Sequence, residues 1–281
     1  MLDTITPLIL VYNEAPNIER TLQPLQWASR IVAIDSYSTD ATLDILKRYP
    51  QVEIIQREFL SFADQCNFGL TQVHTEWVLS LDADYVLSDD LIHQLKELKD
   101  NPAIDGYSVP FKYCVFGKPL RGTLLPRRTV LYRTTRGTYQ EDGHAHRVQV
   151  EGATAPLSGH IYHDDRKSLS RWLWAQDRYM VLEAKKLQET SPSELSRSDL
   201  IRKTKVLAPF VILFYCLILK GGILDGWRGW YYAAQRTLAE LLLAIHLIEQ
   251  DWQRVGEGVQ VGSPGGVVGS AHPTVDKTDR E

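Results

Sequence analysis

This 281-residue chain is short of several things, and each shortage narrows what it can be. Cysteine is scarce: Cys66, Cys114 and Cys216 are odd in number, scattered, and form no C-x-x-C pair. That pattern fits free thiols in a reducing cytoplasm rather than a disulfide framework. An excess of one charge is missing: 31 Lys and Arg stand against 35 Asp and Glu, a net −4, which argues against a general nucleic-acid binder. A secretory signal is not visible, because Met1-Leu2-Asp3-Thr4 has no basic region and the apolar run Pro7 to Tyr12 is too short. The apolar stretch Val206 to Leu219 has fourteen residues, below the roughly 20 that a membrane-spanning helix needs. Hydrophobic residues are plentiful at 44%. They suffice for the core of one large α/β domain, or of one domain with an appendage.

Strand and helix signals alternate over the first hundred residues. Pro7 to Val11, Ile31 to Ile34, Val52 to Ile55 and Trp77 to Leu81 read as buried strands. Between them lie helical patterns: one through Leu22 with Pro16 in its first turn, one capped by Ser38-Thr39-Asp40 and ended by Pro50, and one from Phe62 to Val73. Ser88-Asp89-Asp90 caps a further helix through Leu98. Such alternation predicts a mostly parallel sheet with helices on both faces. From about 105 to 165 the pattern changes to antiparallel strands, Tyr107 to Tyr113 and Thr129 to Arg133, an extension suited to holding a second substrate. A helix from Ser168 to Leu187 follows.

Ligands of such sheets bind at the carboxyl ends of the strands. Three predicted strands end in polar clusters: Tyr12-Asn13-Glu14, Asp35-Ser36-Tyr37-Ser38 and Asp82-Ala83-Asp84. Each alone could be turn or cap chemistry, and a lone D-x-D can be an acidic surface loop. Together they describe one rim. Residues i and i+2 of a strand point the same way, but a turn beginning at Ala83 can aim Asp82 and Asp84 at different atoms. Two hard oxygen ligands there suit Mg²⁺ or Mn²⁺ and the phosphates such an ion carries.

The segment Val206 to Leu219 follows Arg197, Arg202, Lys203 and Lys205, and precedes Trp227, Arg228, Trp230, Tyr231 and Tyr232. Bases beside an apolar segment and an aromatic belt suit a helix lying in the interface of an anionic leaflet. The alternative is a buried helical hairpin closed by Gly221-Gly222 and Leu241 to Ile248. Expected units are therefore a catalytic domain over 1–165, a helical region over 166–254, and a disordered Gly/Val/Ser/Pro-rich tail over 255–281.

These motifs resemble family 2 glycosyltransferases of the GT-A fold, especially the bacterial group that includes lipopolysaccharide core glucosyltransferases. The resemblance is carried by Val11-Tyr12-Asn13-Glu14, Asp35 to Asp40, Gln65-Cys66-Asn67-Phe68 and Leu81-Asp82-Ala83-Asp84, and more weakly by Gly221 to Gly226. It implies a nucleotide site built from Val11, Tyr12, Asn13, Glu14, Asp35, Ser38, Gln65, Asn67 and Asp82. Asp84 would hold the divalent cation, with Asp82 facing it or the ribose. It further implies a nucleotide-sugar donor, a UDP-sugar foremost. The acceptor would be a glycan or lipid-linked molecule of envelope polysaccharide or lipopolysaccharide synthesis, met at the cytoplasmic face of the inner membrane. Ser36 and Tyr37 depart from the two acids and glycine often found in the second motif, and Cys66 stands where a basic residue often does.

An inverting transfer needs a carboxylate to take the acceptor proton. Asp142, with Glu141 second, is the candidate, although Asp142-Gly143 also reads as a turn. His163 is a candidate third metal ligand. Two other readings stand beside the transferase. One is a sugar-nucleotide-binding scaffold without turnover, suggested by Cys66 and Ser36. The other is a metal-dependent hydrolase using His144, His146, His160 and His163, whose spacing matches no known zinc motif.

Overall fold

Alternate residues of the first strand bury themselves on opposite sides of a sheet, Ile9 and Val11 on one side and Leu8 on the other. The sheet therefore needs cover on both faces. A computed structural model of the chain describes residues 2–142 and 145–260, with the side chains of 141–147 and 255–260 outside what is described. In chain order the elements are β1 (Ile5–Val11), α1 (Ile18–Leu22), β2 (Ile31–Asp35), α2 (Thr42–Leu46), β3 (Val52–Gln56), α3 (Phe62–Thr71), β4 (Trp77–Asp82), β5 (Tyr85–Leu87) and α4 (Asp89–Glu97). Then come β6 (Gly106–Val109), β7 (Phe111–Val115), β8 (Lys118–Pro119), β9 (Arg128–Arg133), β10 (Gly137–Asp142), β11 (Ala145–Val150), β12 (Thr154–Pro156) and β13 (Ile161–His163). Helices α5 (Leu169–Glu189), α6 (Arg197–Lys203), α7 (Leu207–Phe214) and α8 (Trp227–Gln260) close the described chain.

The main sheet has the order β12-β6-β9-β4-β1-β2-β3. Strands β4, β1, β2 and β3 are mutually parallel, and β9 runs antiparallel between β4 and β6. One face packs on α1, α2 and α4 through Ile18, Leu22, Leu46 and Leu91, and the other on α3 through Ala63, Cys66 and Leu70. The expected α/β architecture is thus present: a mostly parallel sheet with helices on both faces, an antiparallel extension, and a C-terminal helical hairpin. Strand β1 starts two residues earlier than expected and carries Pro7 inside it. Its pairing with β2 begins only at Leu8, so the missing proline N–H falls outside that ladder.

Three differences from expectation have local causes. Helix α1 begins at Ile18 rather than at Pro16, because the amides of Asn17 and Ile18 first close a turn onto the Glu14 carbonyl. The strand expected over Tyr107 to Tyr113 breaks at Pro110 into β6 and β7, which belong to different sheets. Strand β7 joins the short β13, β5 and β8 in a four-stranded sheet, and this sheet brings residues after 160 back to the end of β4. Helix α8 continues through Gln260, past the boundary expected at 254. Residues 261–281 lie outside the described residues.

Candidate active site

At the end of β1 the chain turns sharply, with Asn13 in the left-handed region at φ 53°, which Asn tolerates better than most residues. The Asn13 amide donates to Ser38 Oγ (2.9 Å), and its side-chain oxygen accepts from the Thr39 amide (2.8 Å). The Glu14 amide donates to Thr42 Oγ1 (2.7 Å). The ends of β1 and β2 are therefore one interlocked structure. Val11 is buried and opposite Asp35 in the ladder. Tyr12 is exposed, with the Arg171 guanidinium from α5 5.1 Å from its ring centre.

Asp35 is fully buried. Its carboxylate accepts from the Ser38 amide (3.1 Å), Ser38 Oγ (2.5 Å) and Gln56 Nε2 (2.9 Å), so it shapes the loop after β2. In that loop Tyr37 has φ 59° and an exposed ring. The glycine of the resembled motif has its physical reason here: a positive φ costs glycine least. Gln65 is also buried, bonded to Ser36 Oγ (3.0 Å) and Arg57 Nη1 (3.2 Å). Asn67 spends its amide on the Tyr139 backbone, donating to the carbonyl and accepting from the N–H, both at 2.9 Å. It clamps β10.

Strand β4 delivers the two acids as expected. Asp82 is its last residue, and Ala83 and Asp84 make the turn into β5, held by a hydrogen bond from Thr21 Oγ1 to the Ala83 carbonyl (2.7 Å). Asp82 bonds the buried Tyr85 hydroxyl, which also accepts from Arg128 Nη1 (3.0 Å). Asp84 faces His163: Oδ2 and Nε2 are 3.0 Å apart, and the Asp164 amide donates to the Asp84 carbonyl (3.1 Å). The rings of Tyr85 and Tyr113 hold the imidazole between them. Burial works against the Asp84 charge, but His163 outweighs it and holds the carboxyl below its ordinary value. Burial likewise opposes the charged imidazole, and Asp84 outweighs it, so the His163 pKa is raised.

Beyond His163 the chain supplies groups that the rim needs and that sequence reading did not assign to it. Lys167 Nζ donates to Glu14 Oε1 (2.5 Å), and Asn17 Nδ2 donates to Glu14 Oε2 (2.9 Å) and to Asp165 Oδ1 (2.9 Å). Asp164 accepts from Arg20 Nη1 (2.5 Å), Arg166 Nη2 (2.8 Å) and the Gly117 amide (3.1 Å). Burial, with a contribution from Asp84, raises the Glu14 carboxyl to about 7 against the pull of Lys167. The three-residue β13 gives no periodic signal, so nothing in the sequence showed that 163–167 return to β1 and β4. The domain boundary expected at 165 would cut through this cluster. Glu14, Asp84 and His163 are brought together, whereas Asp35, Gln65 and Asn67 support the loops behind them.

The base candidates Glu141 and Asp142 end β10, with their side chains outside the described residues. The strand is anchored at Tyr139, whose hydroxyl meets Ser80 Oγ at 2.8 Å, two residues before Asp82. Asp142 follows within about 10 Å of extended chain. His144 and His146 also lie outside the described residues or side chains. Among the described residues no three carboxylate, imidazole or thiol groups converge on a cation. Asp84 Oδ2 and His163 Nε2 are engaged with each other, and His163 Nδ1 is buried without a partner on the other side of the ring. The carboxylates Asp82 and Asp84 are the hard oxygen donors that suit Mg²⁺ or Mn²⁺, ions that keep much of their shell for phosphate and water, and His163 would join them only as a neutral imidazole released from Asp84.

Sheet and rim define a class: an α/β domain with a charged rim across the carboxyl ends of β1, β2 and β4. Residues 8–151 match the family model described as "Glycosyl transferase family 2", and the chain belongs to that family. It is 29% identical over 104 residues to an uncharacterized glycosyltransferase of Rickettsia bellii (37% of this chain, 35% of that one). It is 37% identical over 90 residues to the glycosyltransferase SunS of Bacillus subtilis (31% and 21%). It is also 28% identical over 98 residues to the lipopolysaccharide core biosynthesis glycosyltransferase LpsC of Rhizobium meliloti (34% and 36%). The matched part thus spans about a third or less of each relative. Among solved structures, S. aureus TarS 1–349 in complex with UDP-GlcNAc overlaps 89% of this chain and 92% of its own at 16% identity, TM-score 0.47.

Proposed function

We propose that the chain is an inverting glycosyltransferase that moves a sugar from a nucleotide donor, foremost a UDP-sugar, to a glycan or lipid-linked acceptor of envelope polysaccharide or lipopolysaccharide synthesis. The observation that supports this reading most is the convergence of Glu14, Asp84, His163 and Lys167 at the ends of β1, β4 and β13. Asp82 ends β4 and Asp84 follows in the turn, both at this rim. A diphosphate bound beside them would need its charge screened by a divalent cation, which Asp84 would hold, with Asp82 and His163 beside it. Such a cation would supply positive charge for the departing nucleoside diphosphate.

The protein's own groups do the rest. Tyr12, Asn13 and the Ser38 loop bound the nucleoside side. Lys167 and Glu14 keep each other oriented at the edge of the diphosphate. The acceptor hydroxyl attacks the anomeric carbon from the face opposite the diphosphate, and Asp142, or Glu141, takes its proton. The test is release of nucleoside diphosphate from a panel of nucleotide sugars with Mn²⁺ or Mg²⁺, with and without acceptors. Release from one donor is expected, and none from any donor would overturn the reading. Asp142→Asn should spare donor binding and stop transfer. A chain that binds donor tightly yet never turns it over would instead be a scaffold. Peripheral membrane contact belongs to a different part of the molecule.

A further inference from the structure

The C-terminal hairpin presents an apolar face with no partner in the chain. Helix α7 and the π-helical turn Tyr215–Leu219 that continues it are apolar on every side. Their inner face is packed: Ala208, Pro209, Cys216 and Leu217 are buried, the last two against Val115, Leu120 and Tyr232. Their outer face is equally apolar and stands in the open. Phe210, Phe214 and Leu219, with Leu224 at the hairpin corner and Trp227 and Trp230 at the start of α8, are each 53–69% exposed. A helix bathed in water on one side carries polar residues there, and a contiguous apolar patch of this kind marks an interaction site. The hairpin corner is rigid: Gly229 packs so closely on Gly222 that a Cβ would overlap its carbonyl, and Asp225 accepts from the Arg121 amide (3.0 Å).

Charge selects the occupant. From 200 to 236 the only acid is Asp225; Arg202 is paired with Glu240 and Glu183 and Lys205 with Asp251, which leaves Lys220 and Arg228 as the bases placed beside the apolar face. Lys220 lies over the Tyr215 ring (5.4 Å) and Arg228 over the Trp227 ring (4.6 Å), at the border of the apolar face. Aromatic rings and long bases in this order suit the headgroup level of a bilayer with anionic lipid. A second copy of the chain on the same face would bring these like charges together, which is unfavourable. No helix among the described residues is long and apolar enough to cross a membrane. The thirteen residues Leu207–Leu219 reach about 20 Å as a helix, short of the roughly 30 Å hydrocarbon core.

We propose that this outer face is a one-sided membrane-docking surface that rests in the headgroup–acyl boundary of an anionic bilayer. Its placement relative to the rim is direct. The β7–β8 turn carries the exposed Phe116 ring 5.7 Å from Trp227 and 5.4 Å from Tyr231, and its next residue, Gly117, donates to Asp164 of the rim. Docking thus sets the catalytic rim beside the lipid surface through a single turn.

The experiment is flotation of the full chain with phosphatidylcholine vesicles, with and without about 30 mol% phosphatidylglycerol. It needs neither donor nor acceptor, so its failure leaves the transferase reading standing. The wild type should float with the anionic vesicles, less so at high salt. Phe210→Glu with Phe214→Glu should cut the bound fraction at least about tenfold, with the melting temperature checked for folding. Lys220→Glu with Arg228→Glu, which leaves the apolar face whole, should lower binding to anionic vesicles only. A wild type that stays unbound, or glutamate variants that float as well as it does, would overturn the proposal. A wild-type dimer that the glutamate pair converts to non-floating monomers would assign the face to a second copy and overturn it as well.

Discussion

Strand β1 and helix α7 are both apolar, and both carry a proline, yet their fates differ. Strand β1 lies between β4 and β2 and is covered by helices above and below, so every side chain has a neighbour. Helix α7 finds cover for one face and leaves the other open. Apolar character alone therefore does not say whether a segment is core. The number of packing surfaces that the topology supplies decides it. The buried hairpin therefore describes the inner face of α7, and the open outer face is the one proposed to meet a membrane.

The contrast can be broken by mutation. Leu8→Ala in β1 should cost about 2–5 kcal/mol, whereas Phe214→Ala on the open face should stay within about 0.5 kcal/mol. Urea unfolding of the two variants measures this, and a comparable loss for Phe214→Ala would show that the face is covered within the chain. Asn67→Ala should fall between them, at about 1–3 kcal/mol, because two backbone groups of Tyr139 lose their partner. Donor affinity should change little if Asn67 only clamps β10.

A further contrast lies in pH dependence. Glu14 has its carboxyl raised from 4.5 to about 7, by burial first and Asp84 second. A raised carboxyl binds its proton more tightly in the folded state. Its contribution to stability is whole below about 4.5 and is lost as pH rises towards 7. Melting curves of Glu14→Gln should therefore decline less than wild type across that window. Equal declines would mean that Lys167 neutralises Glu14 completely.

Much of the rim was legible because β1, β2 and β4 are long enough to show their apolar runs, and polar clusters at their ends follow from the layout of parallel sheets. Asp82, Asp84, Glu14 and Asn13 stand where that logic placed them. His163 was proposed as a ligand from residue type alone, and it meets Asp84 through β13, a three-residue strand without readable periodicity. Arg20, Asn17 and Lys167 were missed for the same reason, since their partners are about 150 residues away in sequence. Gln65 and Asn67 lie in a motif of the right order, and their bonds to Ser36, Arg57 and the Tyr139 backbone are contacts that spacing does not reveal.

In the proposed function Asp84 anchors the cation under a sugar nucleotide's diphosphate. Calorimetric titration of a UDP-sugar into wild type and Asp84→Ala, each with and without Mn²⁺, tests it most directly. Binding that requires Mn²⁺ in the wild type and disappears in Asp84→Ala is the predicted result. Binding indifferent to both Mn²⁺ and the substitution would remove Asp84 from that role.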